Sequence, residues 1–218
     1  MPVEIKRRWI IAMVACLLVF GLLAAAYTFD WGLASIDNTF GAGLVSRATP
    51  LGRAFFDAVT ILGNTNFVAP LAVLIGLVFI FKKQWQQLMI FVLAIVGGWQ
   101  LNNLLKIIFL RPRPAYPDAI HTMTSFSFPS GHAMIAVLLF GVLAYLAWPL
   151  LKQKAARRGL LIGAITLTLL VGFSRLYLGV HYLSDVIAGF AFGLFWLLLL
   201  LYADQNGLFG KPPIHRLY

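Results

Sequence analysis

Acidic side chains are scarce in this chain. Asp and Glu together number 7 in 218 residues, and charged residues of both signs make up 11%. A soluble domain carries about 25%. The deficit excludes a disordered chain, which needs charge to stay solvated, and it argues against a soluble globular domain. Cysteine is nearly absent. The lone Cys16, inside an apolar run, excludes a disulfide scaffold or a cysteine-based metal cluster. Internal repeats and low-complexity segments are also missing. What is present is apolar: 61% of the residues are hydrophobic. That composition fits an integral membrane protein whose apolar surface faces lipid. The net charge of +10 is read as basic loops holding one side in the cytoplasm rather than as a nucleic-acid surface.

Six apolar stretches predict six spans: Trp9 to Thr28, Phe67 to Phe81, Leu88 to Leu110, His132 to Leu150, Leu160 to Leu178 and Leu183 to Tyr202. A span needs about 20 residues to cross ~30 Å of hydrocarbon. The second is short and is expected to extend back through Thr65. Gln100, Asn102 and Asn103 turn the outer half of the third towards other helices. The first resembles a signal peptide, with Lys6, Arg7 and Arg8 before it and Ala24 to Ala26 as a cleavage site. Its apolar run exceeds the usual h-region of about 7–15 residues, so it is taken as an uncleaved span. The expected fold is therefore all-α: a polytopic bundle of six transmembrane helices forming one domain over residues 1–218. Leu51, Phe55, Phe56, Val59 and Leu62 repeat at spacings of three and four, predicting an amphipathic helix at the interface in the first outward loop. Gly159 and Gly163, and Gly189 and Gly193, are small-xxx-small pairs that suggest close helix packing. Trp9, Trp31, Trp85, Trp148 and Tyr202 sit near span ends as interface anchors.

Six spans put both termini on one side. Lys6, Arg7, Arg8, Lys82, Lys83, Lys152, Lys154, Arg157, Arg158, Lys211 and Arg216 then share that side; Arg47, Arg53, Lys106, Arg111, Arg113 and Arg175 lie on the other. Basic residues favour the cytoplasm, so both termini are expected inside. Asp30, Asp37, Asp57, Asp118 and Asp185 fall mostly outside, in agreement.

Ionisable groups at membrane depth cost about 2.5–3.5 kcal/mol each and usually mark a site. Here they gather at span ends on the outer side. Lys106, Arg111 and Arg113 close the third span, His132 opens the fourth, and Arg175, His181 and Asp185 bracket the turn between the fifth and sixth. Guanidinium forks match phosphate oxygens and a lysine adds a point charge. Ser130 is a preferred N-cap, Gly131 allows close backbone approach, and a helix N-terminus attracts anions. His181 and Asp185 are spaced i, i+4, which places them together if the sixth helix begins by His181. A carboxylate on one imidazole nitrogen makes the other a better nucleophile. His181 is thus placed to attack phosphorus. His132 can protonate the leaving oxygen and then activate water.

Lys106-x6-Arg113-Pro114, Pro129-Ser130-Gly131-His132 and Ser174-Arg175-x5-His181-x3-Asp185 resemble the three signatures of the type 2 phosphatidic acid phosphatase (PAP2) superfamily, at every fixed position and in the same order. Its bacterial members include phosphatidylglycerophosphate and undecaprenyl pyrophosphate phosphatases. The resemblance implies a metal-independent lipid phosphatase without cofactor in a bacterial inner membrane, its site facing the periplasm or cell exterior. It implies His181 as nucleophile, His132 as acid and base, Asp185 as orienter, and Lys106, Arg113, Ser130, Gly131 and Arg175 on the phosphate. The partners it implies are the bilayer and a membrane lipid phosphate: phosphatidylglycerophosphate, undecaprenyl pyrophosphate or phosphatidate.

Plainer readings stand beside these. Lys106, Arg111 and Arg113 could snorkel to headgroups, and Arg111 competes with Arg113 for the phosphate. The two histidines could hold a metal, although no third ligand has zinc spacing and the cations would repel it. Asp185 could simply pair with Arg175. Ser174 could position phosphate or cap a turn. Asp118 and His121 read as solvated, and His215 as incidental. A lipid phosphotransferase using the same phosphohistidine is the alternative function. An anion channel is a third, weakened because no polar chain leads towards the cytoplasm. The sequence leaves the lipid and the oligomeric state open.

Overall fold

The computed structural model describes residues 3–116, 125–210 and 214. Asp118, His121, Lys211, His215 and Arg216 lie outside the described residues. Among the described residues the secondary structure is helical, without strands. The helices are α1 (Val3–Thr28), α2 (Leu33–Val45), α3 (Pro50–Thr60), α4 (Thr65–Phe81), α5 (Trp85–Val92), α6 (Gly98–Phe109), α7 (Gly131–Ala147), α8 (Lys154–Tyr177) and α9 (Leu183–Gln205). A π-helical stretch, Leu93–Gly97, joins α5 to α6 as one continuous rod.

Five of these units are long and apolar enough to cross a membrane: α1, the α5–α6 rod, α7, α8 and α9. The sixth comes from α3 and α4 taken together, bent by 40° across Asn64. Within that pair α4 begins at Thr65, where Asn64 caps the helix by accepting from the Asn66 N–H (2.9 Å). Pro50 at the first position and the Thr49 hydroxyl, accepting from Gly52 (3.1 Å), start α3. This helix covers the amphipathic stretch Leu51 to Val59 read from the sequence. Phe56 packs it on Phe173 and Tyr177 of α8, while Leu51 stays 82% exposed.

Helix α7 is apolar all round, and such a helix must sit inside the bundle. Ala133, Leu138, Leu139 and Val142 are fully or almost fully buried. Helices α8 and α9 pack on α7, and α1 closes the far side of α9. Gly189 and Gly193 let α9 approach α7: a Cβ there would stand 2.6 Å from the Ser130 carbonyl oxygen and 3.0 Å from that of Met134. The other small-residue pair does not behave this way. Gly159 and Gly163 have nothing within 4 Å of a built Cβ, so they face outwards and mediate no close packing among the described residues.

Candidate active site

The C-terminal ends of α6 and α8 and the N-terminal ends of α7 and α9 meet at one end of the bundle. A cavity of about 680 Å³ opens there and continues between α4 and the α5–α6 rod. Lys106, Arg113, Ser125, Gly131, His132, Arg175 and His181 form its polar end; Val73, Leu77, Ile80, Leu88, Val92 and Val96 line the apolar remainder.

The three sequence stretches do converge. At the end of α6, Leu110 takes a left-handed conformation (φ 48°, ψ 28°) and its N–H closes on the Lys106 carbonyl (2.9 Å). That turn ends the helix and sends the Arg-Pro-Arg-Pro segment across the end of the bundle. Lys106 donates to the Phe126 carbonyl. Arg113 donates to the carbonyls of Ser125 (2.7 Å) and Val180 (2.7 Å) and to the Ser125 hydroxyl (2.9 Å). Two cations thereby strap residues 125–128 over the site. Phe128, packed against Phe20 and Phe109, anchors that segment from the apolar side.

His181 Nδ1 lies 3.3 Å from Asp185 Oδ2, while Nε2 lies 3.1 Å from Arg113 Nη1. The hydrogen-bond network therefore assigns the proton to Nδ1 and leaves the Nε2 lone pair towards the cavity. The helix that carries Asp185 begins at Leu183, later than the i, i+4 argument required. The pair still forms, because Asp185 Oδ2 turns back to accept the Tyr182 N–H (3.0 Å) and thereby sits beside His181. Burial first, then the charges of Arg113, Lys106 and Arg175, hold the His181 ring well below the ordinary histidine value. Both effects favour the neutral, nucleophilic form of the ring. Burial likewise lowers the Arg113 guanidinium, with Asp185 opposing it.

Ser130 precedes α7, yet its hydroxyl caps nothing. Its N–H donates to the Asp185 carbonyl (3.0 Å), tying α7 to α9. Ser130 Oγ, His132 Nε2 and Arg175 Nε are buried and without a hydrogen-bond partner in the protein. Such orphans are rare and costly in a folded interior. Arg175 donates instead through Nη1 to the Thr60 hydroxyl (2.6 Å), and not to Asp185. Gly131 leaves room for Asn102, whose Oδ1 would be 2.9 Å from a Cβ there.

Other expectations are corrected. Arg111 neither snorkels nor reaches the cavity. It is 3% exposed and bridges Asp37 (2.8 Å) and Asp185 (2.7 Å). The carboxylate of Asp185 therefore pairs with Arg111. Ser174 bonds the Val171 carbonyl of its own helix (2.6 Å), so it does not face the phosphate position. Among the described residues no three His, Cys, Asp or Glu side chains gather as a metal set. Sequence reasoning missed Ser127, whose hydroxyl donates to Asp185 Oδ2, and Thr60. It counted Asp37 only as an outward acid. A carboxylate in the middle of the apolar run of α2 was the signal for it.

Three comparisons with known proteins bear on this geometry. The PAP2 superfamily model matches residues 87–208. Phosphatidylglycerophosphatase B of Bacillus subtilis is 38% identical over 153 residues, covering 68% of this chain and 73% of that protein. Undecaprenyl-diphosphatase BcrC of the same species is 28% identical over 100 residues, 42% of this chain and 45% of its own length. The crystal structure of a transmembrane PAP2-type phosphatidylglycerolphosphate phosphatase from Bacillus subtilis superimposes with a TM-score of 0.81 at 32% identity, covering 89% of this chain and 96% of that one.

Proposed function

The chain belongs to the PAP2 superfamily, and from that premise we propose that it removes phosphate from a membrane lipid phosphate through a phosphohistidine on His181. One observation carries this reading. The His181 imidazole, three basic side chains and two unpartnered nitrogens, His132 Nε2 and Arg175 Nε, share the polar end of a cavity whose other walls are apolar, with the unpartnered Ser130 Oγ beside Gly131. An amphiphile with a phosphate head and a hydrocarbon tail matches that division. Between Lys106 and Leu88 the rod covers about 27 Å of rise, close to one hydrocarbon thickness, so an extended tail is accommodated. Phosphatidylglycerophosphate, the substrate named for the matched Bacillus subtilis phosphatase and for the superimposed crystal structure, is the first candidate, with undecaprenyl pyrophosphate beside it.

In this reading the phosphate oxygens take the donors now without partners: Ser130 Oγ, Arg175 Nε and the free N–H groups that begin α7. Arg113 exchanges its contact with His181 Nε2 for a phosphate oxygen. Nε2 then attacks phosphorus in line with the leaving oxygen, which His132 protonates. Lys106, Arg113 and Arg175 stabilise charge on the equatorial oxygens during transfer. In the second step His132 takes a proton from water, which cleaves the P–N bond and restores His181. The chemistry needs cations already supplied by side chains. With the basic loops inside, this end of the bundle faces the periplasm or cell exterior.

His181→Ala should lower phosphate release from phosphatidylglycerophosphate in detergent by about 10⁴-fold or more. Undiminished turnover would refute the assigned nucleophile. A parallel panel of phosphatidate and undecaprenyl pyrophosphate ranks the substrates.

A further inference from the structure

Asp185 has two oxygens with different surroundings. Oδ2 faces the reaction side, accepting from the Ser127 hydroxyl and the Tyr182 N–H and meeting His181 Nδ1. Oδ1 faces away, and Arg111 Nη1 donates to it at 2.7 Å. The guanidinium is itself fixed from every side. Its Nη2 donates to Asp37 Oδ2 (2.8 Å), and its Nη1 also reaches the Ser184 hydroxyl (2.7 Å). The rings of Tyr27 and Tyr182 lie 4.8 and 4.2 Å from its central carbon. Asp37 is held in turn by the Ser184 N–H (3.0 Å) and hydroxyl. The backbone adds a further tie: the Arg111 carbonyl accepts from the Ser127 N–H (2.8 Å), placing the serine that bonds Oδ2.

Two features separate this assembly from an ordinary buried ion pair. Arg111 lines no part of the 680 Å³ cavity, and its Nη1 and Nη2 groups are taken by Ser184, Asp185 and Asp37, so it acts away from the phosphate. Its cation serves two carboxylates, one of which touches the reactive histidine. The planar fork gives one nitrogen to each carboxylate, so it fixes Asp185 Oδ1 relative to Asp37 and leaves Oδ2 turned to His181. An Asp185 without that hold would accept the His181 Nδ1–H less firmly, and the ring orientation that exposes Nε2 would loosen with it.

Granting His181 as nucleophile, we propose that Arg111, clamped by Asp37, is a positioning residue for the reaction: it locks Asp185 so that Oδ2 orients the His181 ring. Asp37, on a helix outside the three signature stretches, thereby belongs to the machinery as the holder of that lock. Outer partners of an orienting group typically change activity by about 10–100-fold. The loss should fall on kcat, since phosphate contacts are untouched.

The test uses the full chain in detergent with phosphatidylglycerophosphate or phosphatidate as probe, and compares Arg111→Met, Arg111→Lys, Asp37→Asn and His181→Ala. Arg111→Met leaves two buried carboxylates without their cation and risks the fold, so Arg111→Lys and Asp37→Asn carry the decision, each checked by its melting midpoint. Asp37→Asn should lose about tenfold in kcat with KM unchanged, and Arg111→Met about 100-fold. Arg111→Lys should recover part of that loss, because it restores the charge without the fork. Slower build-up of trapped phosphoenzyme should follow kcat. Folded Arg111→Lys and Asp37→Asn proteins with unchanged kcat would overturn the proposal, as would a rise in KM alone. An inactive His181→Ala beside such results sinks only the positioning role; an active one removes the nucleophile reading and this inference with it.

Discussion

The two ends of α9 each bury a carboxylate, and they treat it differently. At the cavity end, Asp185 is bound by a guanidinium, a serine, a backbone N–H and a histidine. At the other end, Asp204 accepts from Gln86 (2.6 Å), from the Tyr145 hydroxyl and from the Ile214 N–H (3.2 Å). Those donors are neutral, and they pin α5, α7 and the tail to α9. The contrast extends to orphaned atoms. Among the described residues, each buried side-chain nitrogen or oxygen without a partner lies at the cavity end. A fold under no functional demand satisfies its buried polar groups. The opposite end does so within the chain, while the cavity end keeps donors for something that arrives from outside.

Loss of His181 is the largest break expected at the cavity end. Next comes Gly189→Ala, which changes no reacting group. The new methyl would stand 2.6 Å from the Ser130 carbonyl oxygen, which is backbone and cannot swing away. Helices α7 and α9 must part, and with them His132 and Asp185. Misplacement by about 1 Å can cost 10²-fold in rate, and overpacking costs about 1–3 kcal/mol. We expect turnover to fall about 100-fold in protein that remains folded. Activity near wild type would show that the two catalytic helices tolerate separation.

Much of this end was legible in the sequence because membrane depth makes charge conspicuous. Lys106, His132, Arg175 and His181 stood out as ionisable groups at the ends of apolar runs, and the structure brings them to one cavity. What stayed hidden depends on direction rather than identity. Two arginines, Arg111 and Arg113, sit two residues apart, each before a proline. Only the left-handed turn at Leu110 decides that one meets the cavity and the other meets Asp37. Ser127 and Thr60 were invisible for another reason: small hydroxyls pass unremarked in helices and loops alike. The bundle itself followed from apolar run lengths. The bend between α3 and α4 and the π stretch in the α5–α6 rod did not, since periodicity does not report a local change of winding.

At the opposite end, Asp204→Ala sharpens the comparison. It removes the acceptor shared by the Tyr145 hydroxyl, Gln86 and the Ile214 N–H, at about 1–3 kcal/mol for the buried one, from residues that do not line the cavity. The melting midpoint should fall by several degrees, given about 2–4 °C per kcal/mol for a chain of this size. Turnover per folded molecule should stay at the wild-type value. A kcat loss matching that of the cavity-end variants would mean that the two ends are coupled, and the division drawn above would fail.

The smallest effect is expected from Gly163→Ala, and its smallness is informative. Gly163 shares the small-xxx-small pattern with Gly189, so sequence alone treats them as equals. The structure separates them: one Cβ would enter backbone, the other meets nothing within 4 Å. With no clash, only helix propensity remains, and Ala is favoured over Gly by about 1 kcal/mol in a helix interior. Gly163→Ala should therefore leave turnover unchanged and hold or slightly raise the melting midpoint. A clear loss of stability would mean that the outer face of α8 is covered in the membrane, which turns the contrast between the two glycine pairs into a difference of partners rather than of packing.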